Sequence, residues 1–124
     1  MSDTMIEDTS FGEVTIDGKT YDYDVVVFPD SIIRRKKSIT KEKHGTSHKF
    51  TRAEMKVYLE EVDPSNINSI VVGTGQYDKL KLLPEARQLL EEKDLEYIER
   101  KTPDLVGMQD HPRENNIFII HVTC

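Results

Sequence analysis

The chain carries a single cysteine, Cys124, among 124 residues. One thiol closes no internal disulfide and builds no structural zinc site, which points to a reducing compartment. No apolar run approaches the ~20 residues that cross a bilayer, so no transmembrane helix is expected. The opening Met1-Ser2-Asp3-Thr4-Met5-Ile6-Glu7-Asp8 has neither an apolar h-region nor an arginine. It matches neither a secretory signal nor an organellar presequence, and a cytoplasmic location is expected. Nucleotide motifs are missing too. After Gly73-Thr74-Gly75 a dinucleotide fingerprint would need glycine where Asp78 stands, and no Lys-Ser or Lys-Thr pair follows as a P-loop requires.

What is present is enough apolar material for one core, with hydrophobic residues at 36% and charged residues at 32%. The net charge of -6 hides a segregation. Between positions 34 and 49 stand Arg34, Arg35, Lys36, Lys37, Lys41, Lys43 and Lys49 against one acid, Glu42, with His44 and His48 in the same stretch. Such a run is either an anion-binding surface or a solvated connecting loop that offsets the acidic remainder. Nucleic acid is disfavoured, because the chain is acidic overall and the basic run contains no aromatic residue for base stacking.

Residues 1–10 read as a flexible acidic tail preceding a single domain over 11–124. Phe11, Val14 and Ile16 begin a strand, and Asp17-Gly18 is a strong hairpin signal. The return strand is expected to run through Tyr21 or Tyr23 into Val25-Val26-Val27-Phe28 and to end at Pro29-Asp30. Ile32-Ile33 is a short extended piece, and Gly45-Thr46-Ser47 reads as loop. Thr51 and Glu54 have capping-box spacing, with Phe50 and Met55 as a hydrophobic staple. Met55, Tyr58, Leu59 and Val62 then line one helical face until Pro64 stops it. Ile67 to Val72 reads as a strand buried on both faces, and Leu80 and Leu82 alternate with lysines in a short extended piece. Pro84 opens a helix with Ala86, Leu89 and Leu90 inward. Leu95 to Ile98 is a strand, Thr102-Pro103-Asp104 starts a helix kept short by Gly107 and Pro112, and Ile117 to Val122 is a buried strand. This order implies an α/β fold: a central, mostly parallel sheet with flanking helices and an N-terminal β-hairpin unit.

Several pieces recur together in a known family: Phe11-Gly12 with Val14, Tyr21 and the Asp24–Val27 strand; Gly45-Thr46-Ser47-His48; Ile70-Val71-Val72-Gly73-Thr74-Gly75; Leu82-Leu83-Pro84; and His121-Val122-Thr123-Cys124. On these the chain resembles a small family of uncharacterised α/β domains first described structurally in a methanogen. That family includes the vertebrate adipogenesis-associated domain-containing protein and a mitochondrial complex I assembly factor. The resemblance implies a three-layer fold with a central mixed five-stranded sheet beside a smaller β unit. It implies no established reaction, and members with roles act as assembly or regulatory partners. The chain departs from the family between Met108 and Asn116, where members carry a longer helix.

Three places could carry chemistry. Gly73-Thr74-Gly75 follows a buried strand, where open α/β sheets bind ligands, and glycine amides can approach an anion closely. Tyr77 and Lys79 are its nearest polar neighbours, and the alternative is a tight turn needing positive φ. Thr46, Ser47 and His48 offer hydroxyls and an imidazole, though adjacent extended residues point opposite ways and no nucleophile-elbow pattern surrounds Ser47. His121 is either a satisfied core histidine or a polar residue at the sheet's rim, and with Cys124 it lacks the same-face geometry of a metal pair. A following carboxylate would also disfavour a thiolate at Cys124. No metal or cofactor is expected. His48, Thr74 and His121 would form a polar pocket if the fold brought them together. Two functions follow: a non-catalytic module that binds a protein partner, and a small-molecule or anion-binding domain, with or without catalysis, at the glycine loop.

Overall fold

In the computed structural model, which describes residues 5–44, 48–108 and 110–124, the chain turns at Asp17-Gly18 as that dipeptide predicts. Both residues have positive φ, 49° and 83°, the left-handed pair of a type I′ hairpin. The turn joins β2 (Glu13–Ile16) to β3 (Lys19–Tyr21), and β1 (Ile6–Ser10) pairs with the other edge of β2. The expected flexible tail over 1–10 is therefore corrected from Met5 onward. Met5 and Ile6 are buried with Val14 and Ile16, so burial of two apolar side chains fastens an otherwise polar segment that has no strand-like alternation. Residues 1–4 lie outside the described residues.

The return strand ends at Tyr21 rather than continuing to Phe28. Val25–Phe28 is a separate strand, β4, which folds back through Pro29-Asp30 onto β5 (Ser31–Arg34). The basic stretch then contains a helix, α1 (Ser38–His44), where a solvated loop was expected. It is followed by β6 (Lys49–Phe50) and α2 (Arg52–Leu59). Thr51 caps α2 by accepting the Glu54 amide at 3.2 Å. Val62 packs against the core from beyond the helix, and Pro64 opens a 3-10 turn, Pro64–Asn66. The chain continues through β7 (Ser69–Thr74), β8 (Lys81–Leu82), α3 (Pro84–Glu92) and β9 (Glu96–Arg100). Short 3-10 helices at Thr102–Leu105 and Arg113–Asn115 lead into β10 (Asn116–His121).

The central sheet has five strands in the order β5-β4-β10-β7-β9. It is a mixed five-stranded sheet, as the resemblance implies, but not a mostly parallel one. β10 pairs parallel with β7, and β7 with β9, while β5, β4 and β10 pair antiparallel. The reason lies at Pro29-Asp30, where β4 and β5 are joined by a direct reversal instead of a crossover helix. A three-stranded antiparallel sheet β1-β2-β3 and a two-stranded parallel pair β6-β8 complete the pairing.

Alternate residues of the central strands enter two separate clusters, as a period of two requires. Val26, Phe28, Ile70, Val72, Ile117 and Ile119 pack with Met55, Tyr58, Leu59, Ala86, Leu89 and Leu90 of the helices. Val25, Val27, Val71, Phe118 and Ile120 pack with Ile6, Val14, Ile16 and Leu105. Strand direction then collects polar residues at one edge. Thr74 and His121 end neighbouring parallel strands in register. Because β4 runs the opposite way, its start and the end of β5 share that edge, bringing Asp24 and Arg35 beside His121. Ile6→Ala should destabilise the domain by about 2–4 kcal/mol in urea unfolding. A truly flexible tail would give no change.

Candidate functional site

The residues at this edge form a buried network of charges. Asp24, Arg35, Glu54 and His121 are all 4% exposed or less. Charged groups are found at such depth only when paired and hydrogen-bonded. Arg35, immediately after β5, is shared between two acids: Nη1 donates to Asp24 Oδ2 at 3.0 Å, and Nε and Nη2 donate to the two Glu54 oxygens at 2.7 and 3.0 Å. The guanidinium also lies 5.0 Å from the Phe50 ring centroid. The fork fits a carboxylate in a way lysine cannot. The sequence placed Arg35 in a basic run read as either an anion-binding surface or a solvated loop, and for this residue both are corrected: its neighbours are exposed, but its own side chain is buried.

Glu54 also departs from the sequence reading. Its amide completes the cap at Thr51, but its carboxylate does not return to the Thr51 amide, which is instead donated to Thr40 Oγ1. The carboxylate accepts from Arg35, from the Thr40 hydroxyl at 2.6 Å and from the Tyr58 hydroxyl at 2.6 Å. A buried arginine outcompetes a neutral amide for the acid. Tyr58 in turn accepts the Lys36 amide at 2.8 Å. Burial, with the Glu54 charge beside it, pushes the Tyr58 phenol well above its usual range.

At the other end of the network Asp24 Oδ1 accepts the Val122 amide at 2.9 Å, and Oδ2 lies 2.7 Å from His121 Nδ1. Burial works against ionisation of Asp24, but the His121 hydrogen bond and charge, the Val122 amide and Arg35 outweigh it and hold its pKa at about 2. An ionised carboxylate only accepts, so Nδ1 donates to it, and in the neutral imidazole Nε2 is the nitrogen without a proton. Nε2 faces Thr123 Oγ1 at 3.3 Å. The His48 ring stands edge-on to His121, with centroids 5.2 Å apart. Burial, followed by the positive fields of His121 and Arg35, pushes the His48 pKa down.

Of the residues singled out in the sequence, His48 and His121 therefore meet, and Thr74 is the register partner of His121. The Thr74 hydroxyl is nevertheless committed elsewhere, donating to Asp78 Oδ1 at 2.6 Å. Gly73 is a strand residue, not part of a turn, and a Cβ there would lie 2.8 Å from Leu105 Cδ1. Gly75 has the expected positive φ of 102°. Its amide is donated to Thr102 Oγ1 at 2.9 Å, so it is not available to an anion and the proposed cradle is closed from within. Tyr77 and Lys79 both donate their amides to the Cys124 carbonyl, at 3.0 and 3.1 Å. Thr46 and Ser47 lie outside the described residues. Among the described residues no group of three or more His, Cys, Asp or Glu side chains could hold a metal.

Asp24, Arg35, Glu54 and Thr123 were named in the sequence only as parts of motifs or of the basic run, not as site residues. One signal existed for Glu54: it stands four residues before Tyr58, on the face already assigned to the core. A cleft of about 570 Å³ opens at the opposite sheet edge, lined by Asp30, Glu61, Asp63 and Glu114 among others. Asp63 is engaged there by Ser65.

Arg35→Met should cost about 3–5 kcal/mol in urea unfolding, because two buried carboxylates lose their cation. Asp24 has a folded pKa depressed below its unfolded value of 3.8. The stability it contributes is complete above that value and is lost as pH falls towards 2, amounting to about 2 kcal/mol. Asp24→Asn should flatten the acid limb of the stability–pH curve by that amount, and an unaltered limb would refute the assignment.

No helix of the described residues is long and apolar enough to cross a membrane. No curated protein matches the chain. Among solved structures it is similar to a conserved hypothetical protein from Pyrococcus horikoshii OT3, at 44% identity and a TM-score of 0.82, covering 96% of this chain and 98% of that one. It is also similar to a protein called MT938, at 31% identity and a TM-score of 0.64, over 98% and 99% of the two chains. An outer membrane protein from Bartonella henselae shares the fold at 16% identity and a TM-score of 0.66, over 99% and 98%. The family described as a protein of unknown function (DUF498/DUF598) matches residues 6–107, and the chain belongs to that family.

Proposed function

We propose that the His48–His121 edge binds a small anionic molecule and exchanges a proton with it through His121 Nε2. The observation that carries this reading is the buried Asp24–His121 pair, in which a carboxylate fixes one imidazole nitrogen and leaves the other directed at a partly exposed hydroxyl. This is how a general base is oriented in many hydrolytic and transfer sites. The carboxyl ends of parallel strands are also where α/β sheets bind ligands. Lys79 bears electrostatically on His48, and Lys36 and Lys37 follow Arg35 directly, so the surroundings suit an anion. The alternative of a purely structural cluster has to account for its cost: apolar side chains of similar volume would stabilise this edge as well or better.

A second reading, a protein-interaction or assembly module, is favoured by a different observation. Phe11 and Tyr77 are 57% and 64% exposed, and their rings lie 5.9 Å apart. Exposed paired aromatics are typical of interface anchors. The Gly12 and Tyr77 amides hold Val122 and Cys124, so this pair flanks the same end of β10.

Inorganic phosphate and acetate, titrated into ¹⁵N-labelled protein, should shift the imidazole resonances of His48 and His121 together. Lys79→Ala should weaken the response. If neither histidine moves at millimolar anion, the binding reading is wrong. Under the second reading, Phe11→Ser with Tyr77→Ser abolishes association with a co-purifying partner, whereas Asp24→Asn leaves it intact.

A further inference from the structure

We propose that Thr123 is a nucleophile activated by the Asp24–His121 pair, and that the site transfers acyl groups from activated esters or thioesters. The proposal rests on the proton-transfer reading above and adds the atom that attacks. Thr123 Oγ1, His121 Nε2, His121 Nδ1 and Asp24 Oδ2 form one chain, with separations of 3.3 Å and 2.7 Å across its two hydrogen bonds. Its order is hydroxyl, imidazole, carboxylate, the arrangement that activates serine and threonine nucleophiles on unrelated folds. The first contact is at the long end of the range found before substrate closes such a site. Burial runs in the required direction: Asp24 and His121 are buried, and Thr123 at the outer end is partly exposed.

The main chain around the hydroxyl is held on both sides. The Val122 carbonyl accepts the Gly12 amide at 2.8 Å, the Thr123 carbonyl accepts the Gln76 amide at 2.7 Å, and the Cys124 carbonyl accepts from Tyr77 and Lys79. Oγ1 is left only its χ1 rotation, so its position against Nε2 is set in advance. Asp24 cannot turn either, since Val122 holds one oxygen and Arg35 and His121 hold the other.

Gly75 finds its reason here. A Cβ at that position would lie 2.3 Å from the Cys124 carbonyl carbon and 2.7 Å from His121 Cδ2. Only glycine lets the turn after β7 close against the Thr123 segment. The Cys124 amide directly follows the nucleophile, the position from which nucleophile-elbow enzymes donate to the oxyanion, and is the donor assigned here.

Beside the ester or thioester, water is the one further reactant. The Thr123 hydroxyl proton passes to His121 Nε2 as Oγ1 bonds to the acyl carbon, and the Cys124 amide receives the developing oxyanion. Collapse breaks the acyl C–O or C–S bond, and the leaving alkoxide or thiolate takes the proton from Nε2. Water, deprotonated by Nε2, then attacks the acyl-threonine. The acid departs, and the proton returns to Oγ1.

The test is a reaction with p-nitrophenyl acetate. The expected result is a burst of p-nitrophenolate, with one acetyl group mapped to Thr123 by peptide mass spectrometry. Thr123→Val should abolish the label and Thr123→Ser should retain it, the serine variant serving as the control for folding. His121→Gln should slow acetylation by about 10²–10⁴-fold. Acetyl found instead on Cys124 or Lys79, or a burst that survives in Thr123→Val, would overturn the proposal. If the wild-type chain gives no burst but phosphate still shifts both histidines, the nucleophile assignment fails and the binding site stands. If both responses are missing, the two fail together.

Discussion

Much of the described structure depends on one guanidinium. Arg35 leaves the end of β5 and bonds Asp24 at the start of β4 and Glu54 on α2. Through Asp24 it is coupled to β10, at His121 and the Val122 amide. Through Glu54 it is coupled to α1 at Thr40 and to the Lys36 backbone by way of Tyr58. One cation thus ties the antiparallel half of the sheet to the helices and to the strand that carries the imidazole. In a low-dielectric interior these bonds reinforce one another, and an unmatched member is correspondingly costly.

The location of this network matters as much as its geometry. Away from this edge the central strands interact through apolar side chains on both sides, in two clusters that require no charge. The buried ionic groups are confined to the edge where β7 and β10 finish in parallel, the end of a sheet at which α/β folds commonly bind ligands. The glycine loop belongs to the same region, but in a supporting role. Its amide and neighbouring hydroxyl are consumed internally, and its lack of a side chain admits the last residues of the chain. A feature that resembles a phosphate cradle in one dimension is a clearance for close packing in three.

Local physics made much of the fold legible. The Asp17-Gly18 turn, the Thr51 cap, the α2 and α3 stripes and the Ile70–Val72 and Ile117–Ile120 runs all follow from neighbours a few residues apart. The misreadings share a cause. Residues 5–10 have weak periodicity and are ordered by burial of Met5 and Ile6 against β2. Val25–Phe28 could extend the first hairpin or start a new strand, and the choice depends on pairing with β10, far along the chain. Arg35 sits among exposed basic residues, and nothing within that stretch distinguishes the one that turns inward.

Composition and periodicity by themselves determined that this chain builds an α/β domain, that its helices begin at Thr51 and Pro84, and that no metal or nucleotide motif of familiar spacing is present. Tertiary structure alone decided which polar residues share a site. Asp24 and His121 are 97 residues apart, and Arg35 and Glu54 are 19 apart. Such contacts leave no periodic trace, because a period reports which face a residue occupies and not what stands opposite. Strand order and strand direction supply that information, and only the folded sheet contains it.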